Sequence, residues 1–394
     1  MAAAAGRAVT LHPLVGHERA REALARAHAA RLLPAALLLH GPRGIGKQRF
    51  ALWLAQFFVC ERPAAEPCGA CAPCRMVTSL EHPDVHWYFP LPRPKGAAGD
   101  KLVDALEEAR LEALAELRAE PLRASHSDEV RGLYLGIVRS IRALAHKRPV
   151  MAPGPVFIIG DAELLVPQES SPEAANALLK LLEEPPGGAR FVLTSSEPGR
   201  LLPTIRSRTV PFHLTPLPRE VVAGLLERSA KVDPESATRA ATLGQGSIGR
   251  ALGFLPSGDD DGPLEKLRQR AWEVVAATTA PEASDGYALA LQFPPAGARG
   301  LVELFTFVEE WLRDLAAVAA GAPRRVLNLD RLDALQRQVA QAGVAPFAVA
   351  RAFSAVQLAR ELAYGNVNPQ LVVVGLVQDL RRALAHPASA GVAS

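Results

Sequence analysis

Cysteine is almost missing from this sequence. Of 394 residues only Cys60, Cys68, Cys71 and Cys74 are cysteines, and all fall in one short window. A disulfide framework spreads its cysteines to staple distant segments, and a reducing cytosol would not keep one, so that class is excluded. Charge of one sign is not in excess either: 44 Lys and Arg stand against 41 Asp and Glu, a net of +3. That balance does not announce nucleic acid, and any basic surface must come from placement. No apolar run approaches the ~18 residues of a membrane span. Arg7 and His12 break the short alanine runs of the first segment, where a signal peptide would have an apolar core. A cytoplasmic protein with no membrane contact is the expectation. No internal repeat is visible. What is present is ordinary globular usage, 49% hydrophobic and 22% charged, which excludes a largely disordered chain. At ~150 residues per domain, two or three domains are expected.

From Leu14 to about Leu214, helical patterns alternate with short apolar runs at Ala36–Leu39, Val85–Phe89, Val156–Ile159, Phe191–Thr194 and Val210–Leu214. Buried strands separated by helices predict an α/β fold with a parallel sheet covered on both faces. A helix is expected over Ser171–Glu184, with Ser171 as cap, Pro172 in the first turn and Pro185-Pro186 as its stop. Asp100–Leu122 is charge-dense with leucine at helical spacing, and reads as a solvated helical excursion within an insertion at 92–133. After Pro216-Leu217-Pro218 the strand patterns stop. Residues 219–254 read as a small helical unit, the run Ser257-Gly-Asp-Asp-Asp-Gly-Pro263 as a linker, and 264–385 as almost entirely helical.

Gly41-Pro-Arg-Gly44-Ile-Gly46-Lys47-Gln48 matches the phosphate-loop pattern G-x-x-x-x-G-K in all but its last position, and it follows a strand and opens a helix. Glycines let backbone N–H groups close around phosphate oxygens, the helix N-terminus favours negative charge, and Lys47 adds a point charge. The hydroxyl that ligates magnesium is missing, because Gln48 stands in its place. The strand Val156–Ile159 should end in a metal-binding Asp followed by a Glu. In register these are Gly160 and Asp161, although a slip of one residue restores an Asp. Two lesions at one metal predict that the chain does not hydrolyse ATP itself, with weak ATP or ADP binding as the residue of the loop.

The spacing Cys60-x7-Cys68-x2-Cys71-x2-Cys74 suits one closed tetrahedral thiolate site, and closed four-thiolate coordination makes zinc structural. An iron–sulfur cluster and free buried thiols are the alternatives. His82 and His86 lie nearby and are read as ordinary strand or loop residues.

Ala174-Ala-Asn-Ala-Leu-Leu-Lys-Leu-Leu-Glu-Glu-Pro-Pro186, Phe191-Val-Leu-Thr-Ser-Ser-Glu-Pro198 and Leu201-Leu-Pro-Thr-Ile-Arg-Ser-Arg208 together resemble the clamp loaders of bacterial DNA polymerase III. Leu14-Val-Gly-His17, Leu33-Pro34, the four cysteines after the phosphate-loop helix and Asn366-Val-Asn-Pro-Gln-Leu371 fit the same pattern. The magnesium defects resemble the delta-prime class of that family. The resemblance implies a AAA+ RecA-like domain at 1–214 with a zinc module at 60–74, a helical lid at 215–256, and a helical collar at 257–394 that holds an oligomer together. It implies gamma/tau and delta subunits, a sliding clamp and primer-template DNA as partners. It also implies that Arg208 acts as an arginine finger on a neighbour's ATP, with Arg206 as competing candidate. Thr209 stands where the family has Cys. Arg250 resembles the lid arginine aimed at a gamma-phosphate, with a helix start capped by Ser247 as the alternative. Thr194 and Ser195 sit at a sensor position but read as satisfied strand-end hydroxyls. Two rival functions remain: the ATPase (gamma/tau) subunit of the same loader, and a zinc-bearing AAA+ adaptor outside replication.

Overall fold

The computed structural model describes residues 11, 14–97, 99–122, 131–165, 173–256, 258, 260–279, 284–365 and 367–384. Ser171, Pro172, Asn366 and parts of the insertion and linker lie outside them. The chain divides into two compact units, Met1–Leu252 and Gly253–Ser394.

The first unit has seven strands among the described residues: β1 (Ala36–His40), β2 (Val85–Tyr88), β3 (Leu91–Pro92), β4 (Arg131–Gly132), β5 (Val156–Ile159), β6 (Arg190–Ser195) and β7 (Val210–His213). Five form a wholly parallel sheet of order β2-β5-β6-β1-β7, while β3 and β4 make a small antiparallel pair. Its helices are α1 (Glu18–Ala29), α2 (Lys47–Val59), α3 (Ala72–Thr78), α4 (Asp100–Ala119), α5 (Leu135–Ala145), α6 (Glu173–Glu183), α7 (Pro203–Arg206), α8 (Arg219–Ser229), α9 (Pro234–Gly244) and α10 (Ile248–Gly253). Alternate strand residues feed opposite faces, as the pleat requires. Leu38, Phe157, Ile159 and Phe191 pack with Ile137 and Ile141 of α5 and Leu178 and Leu181 of α6. Leu37, Leu39, Ile158 and Val192 pack with Phe50, Leu54 and Phe57 of α2. Both faces of the inner strands are thus covered, which is why β1, β5 and β6 read as apolar runs, while the edge strand β7 is largely exposed.

The charged segment is not a solvated excursion. Helix α4 lies against the sheet edge at β2, with Leu106 in the core of one face and Leu114 in that of the other. Arg110 between them is buried, ion-paired with Glu107, and donates to the edge carbonyl of Trp87 at 3.3 Å with its guanidinium 4.9 Å over the Tyr88 ring. Charge density masked this role: an arginine that satisfies an edge-strand carbonyl does the covering that edges require.

Asp84 fixes the start of β2 against the approach to β5. Its buried carboxylate accepts the backbone N–H groups of Val150, Met151 and Ala152 at 2.7–2.8 Å, and its carbonyl accepts from Val156 N at 2.8 Å. Burial alone would push the carboxyl up, but the three donors hold it below its ordinary value. Its stabilisation is therefore complete at neutral pH and fades as pH falls through the folded value. Asp84→Ala leaves three donors unpaired and is expected to cost the first unit about 3 kcal/mol, read as a lower urea midpoint. A change within error would contradict this.

The second unit is helical: α11 (Pro263–Ala277), α12 (Ser284–Leu291), α13 (Leu301–Ala319), α14 (Leu332–Ala342), α15 (Ala348–Tyr364) and α16 (Pro369–Leu384). Trp311 of α13 is fully buried and donates to the Arg268 carbonyl at 3.0 Å. The buried Arg268 guanidinium is paired with Glu265 and Asp330 and bonded to Asn328, so its charge is compensated on every side. No helix among the described residues is long and apolar enough to cross a membrane.

Candidate functional site

The phosphate loop leaves the C-terminal end of β1, the strand between β6 and β7, and opens α2. The carboxyl ends of neighbouring parallel strands are where open α/β sheets bind ligands. Gly44 (φ 77°) approaches the start of α10 so closely that a Cβ there would stand 2.2 Å from Ser247 Oγ, and its carbonyl accepts from Gly249 N at 3.1 Å. Gly41 and Gly46 flank it, Gly46 in the left-handed region (φ 95°) at the helix start. His17 Nε2 lies 2.9 Å from the Ile45 carbonyl, which ties the Val-Gly-His segment to the loop. Lys47 is buried, and its ammonium donates to Gly41 O (3.0 Å), Pro42 O (2.8 Å) and Ser196 Oγ (2.9 Å). Those three bonds use all its protons. Burial lowers its pKa, while Asp161 and Glu163 oppose that shift.

Gln48 faces the ends of β2 and β5. Its Oε1 accepts from Trp87 Nε1 at 3.0 Å, and its Nε2 donates to Asp161 Oδ2 at 3.1 Å. Burial, then the neighbouring Glu163, pushes the Asp161 carboxyl up. Glu163 Oε1 accepts from Ser196 N at 2.9 Å. At the end of β6, Thr194 Oγ1 accepts from Asp161 N (3.1 Å) and Ser195 Oγ from Glu197 N (3.1 Å), so both are the satisfied hydroxyls expected.

The four cysteines come together beyond α2. Their sulfurs all lie within 4.8 Å of one another. A tetrahedral thiolate site with metal–sulfur bonds of ~2.3 Å needs sulfurs roughly 3.8 Å apart, so the set fits one metal ion. Cys71 and Cys74 are buried at the start of α3, and backbone N–H groups point at sulfur, Cys68 N to Cys60 Sγ and Cys71 N to Cys68 Sγ, both 3.3 Å. Donation from Cys71 and Ala70 N–H lowers the Cys68 thiol to about 6. The module is anchored by Gln56 of α2 to the Cys74 carbonyl (3.0 Å), and by Glu66, which binds Arg21 (2.8 Å) and Trp53 Nε1 (2.6 Å). His82 instead accepts from Asp84 N, and His86 on β2 stacks on Phe157, where burial pulls it down to about 4.

Arg208 lies between α7 and β7, the far edge strand. Its guanidinium pairs with Glu183 at the end of α6 and donates to Thr204 O at 3.0 Å. Leu182, Glu183, Ser207 and Arg208 line an open depression there. Thr209 is buried, and its hydroxyl bonds the Ile205 carbonyl at 3.0 Å, while Arg206 is exposed. Ser247 Oγ accepts from Arg250 N at 3.1 Å, as a helix cap does, and Arg250 Nε donates to Leu243 O at 3.2 Å.

The family described as DNA polymerase III, delta subunit, matches residues 16–218, more than half of the chain. The chain belongs to that family. Among relatives, the DNA polymerase III subunit delta' of Pseudomonas aeruginosa is 37% identical over 207 residues, 52% of this chain and 49% of the relative. The subunit delta' of Escherichia coli is 28% identical over 235 residues, 59% and 58% of the two chains. A subunit gamma/tau of Mycobacterium tuberculosis is 32% identical over 216 residues, 55% and 30%. The aligned regions thus span about half the length of these delta' relatives. The five-stranded parallel sheet with helices on both faces, followed by a helical unit, is the α/β class expected from the sequence.

Sequence reasoning missed Trp87, Glu66, Ser196 and Glu183. The indole that binds Gln48 sits 39 residues away and the hydroxyl that binds Lys47 sits 149 away. Such pairs carry no local spacing, and only the strand order brings them together.

Proposed function

We propose that the chain is a delta-prime-type stator of a bacterial clamp loader: a non-hydrolysing AAA+ subunit that helps an ATP-driven complex place a sliding clamp on primed DNA. The family match and the delta' relatives support the subunit class. One observation carries the choice against the ATPase subunit of the same loader. The position that should offer magnesium a hydroxyl is Gln48, and its carboxamide is already bonded on both sides. Residues 215–256 would act as lid and 257–394 as collar, with gamma/tau and delta subunits as partners. Arg208 would reach a neighbour's ATP. Cys60, Cys68, Cys71 and Cys74 would hold structural zinc. Gly41, Gly44, Gly46, Lys47, Gln48 and Arg250 would form a degenerate phosphate site with weak ATP or ADP affinity. The setting would be the cytoplasm.

The isolated chain is expected to show no magnesium-dependent ATP turnover, and to co-assemble with gamma/tau and delta subunits into a complex that loads clamps. Multiple turnover by the lone chain that disappears on Lys47→Ala would move it to the ATPase class. Failure to enter the complex would favour an adaptor outside replication.

A further inference from the structure

In the sequence, Gln48 and Gly160 look like two separate losses at one metal. In the structure the two positions meet. The Gln48 carboxamide lies beside Gly160 so closely that a Cβ on residue 160 would stand 2.7 Å from its Cδ, Oε1 and Nε2. A Cβ does not approach other atoms that closely, so a side chain at 160 requires the Gln48 amide to leave its place between Asp161 and Trp87.

We propose that Gln48 and Gly160 are a coupled exchange in which a carboxamide replaces a divalent cation, and that this pair determines the metal-independence of the phosphate loop. A cation in a magnesium-dependent site ties the hydroxyl on the first turn of the helix to a carboxylate at the end of the strand. Gln48 makes the same tie with a neutral amide in place of the cation. It rises from the first turn of α2, donates to Asp161 beyond β5 at 3.1 Å and accepts from Trp87 of β2 at 3.0 Å. The amide uses one of its two N–H donors toward Asp161 and its oxygen toward Trp87, so both ends of the group find partners. Reversing Gln48 alone leaves the largely buried Trp87 indole N–H without its acceptor. Reversing Gly160 alone drives a carboxylate into the amide and sets a third acid beside Asp161 and Glu163. The inference rests on reading 41–48 as a phosphate loop, whose ligand would be nucleotide phosphate without its metal.

The test is a double-mutant cycle on the full chain with Gln48→Thr, Gly160→Asp and both together. Urea midpoints and calorimetric titration with ADP, in magnesium and in EDTA, are the readouts. Gly160→Asp is expected to give the largest loss of midpoint, and adding Gln48→Thr should recover part of it, a non-additivity that contacting residues show. Wild type should bind ADP equally in magnesium and EDTA, whereas magnesium should tighten binding by the double variant about tenfold. Additive midpoint losses, or wild-type ADP affinity that rises about tenfold with magnesium, would overturn the coupled exchange. A non-additive cycle with no ADP binding by any variant would uphold the steric pairing while removing metal-independent phosphate binding and the loop reading beneath it.

Discussion

Arg208→Ala is expected to leave folding and assembly of a reconstituted loader intact while lowering ATP turnover at the one site that abuts this subunit. An arginine finger is worth ~10³–10⁵ in rate at its site, so total turnover should fall in part and clamp loading more steeply if the sites act in concert. The topology supports action on another chain. Strand β7 runs parallel to β1 with Val210 opposite Leu37, and Arg208 precedes that level while the phosphate loop begins after His40. From Leu37 to Gly41 the strand rises roughly 13 Å, beyond the reach of an arginine side chain. Arg208 therefore sits at the opposite end of the sheet from its own loop. Its pair with Glu183 is part-exposed, 31% and 44% for the two side chains, and such pairs contribute only about 0–1 kcal/mol. An incoming phosphate can displace that carboxylate easily. Arg208→Lys should rescue poorly, since an ammonium lacks the planar fork that makes two parallel contacts. A complex carrying Arg208→Ala that loads clamps at the wild-type rate would overturn the assignment, and exposed Arg206 would be tested next.

The inner strands β1, β5 and β6 are legible in the sequence because parallel strands buried on both faces need unbroken apolar runs, and Val156–Ile159 and Ala36–Leu39 have them. The phosphate loop is legible because its glycines and lysine are contiguous. The relation between Gln48 and Gly160 is not: it depends on β5 lying next to β2 and on α2 crossing their ends, none of which a linear pattern encodes. Helix α4 misleads for a different reason. Leu106, Arg110 and Leu114 share a stripe that closes the β2 edge, and a buried arginine at its centre disguises that stripe as polar. The cysteine site shows the reverse. Its four cysteines stand out by spacing and do converge, while the anchors that orient the segment, Gln56, Arg21 and Trp53, come from helices whose sequences carry no mark of that task.

Zinc analysis of the purified chain is expected to give one ion per chain, falling toward zero in Cys71→Ser with Cys74→Ser. Both sulfurs are buried, at 5% and 0% exposure, and converge with those of Cys60 and Cys68 to within 4.8 Å. Four thiolates so close repel one another, so without a cation some must be protonated or move apart. Metal binding supplies the missing attraction, and in zinc-finger peptides it amounts to about 10–16 kcal/mol. Here the sheet has its own apolar core, so chelation should loosen the 60–78 segment without unfolding the chain. The tie from Gln56 to the Cys74 carbonyl and the grip of Arg21 and Trp53 on Glu66 depend on that segment holding its path. Hydrogen exchange should therefore rise in 60–78 and more weakly at the facing turns of α1 and α2, while the helices from 263 to 384 keep their protection. Affinity should also fall as pH drops, because each proton that binds a thiolate competes with the metal. Iron together with acid-labile sulfide in place of zinc would mark the site as an iron–sulfur cluster. Unchanged zinc in the double serine variant, or equal exchange in 60–78 with and without chelator, would show that the cysteines do not hold a structural ion.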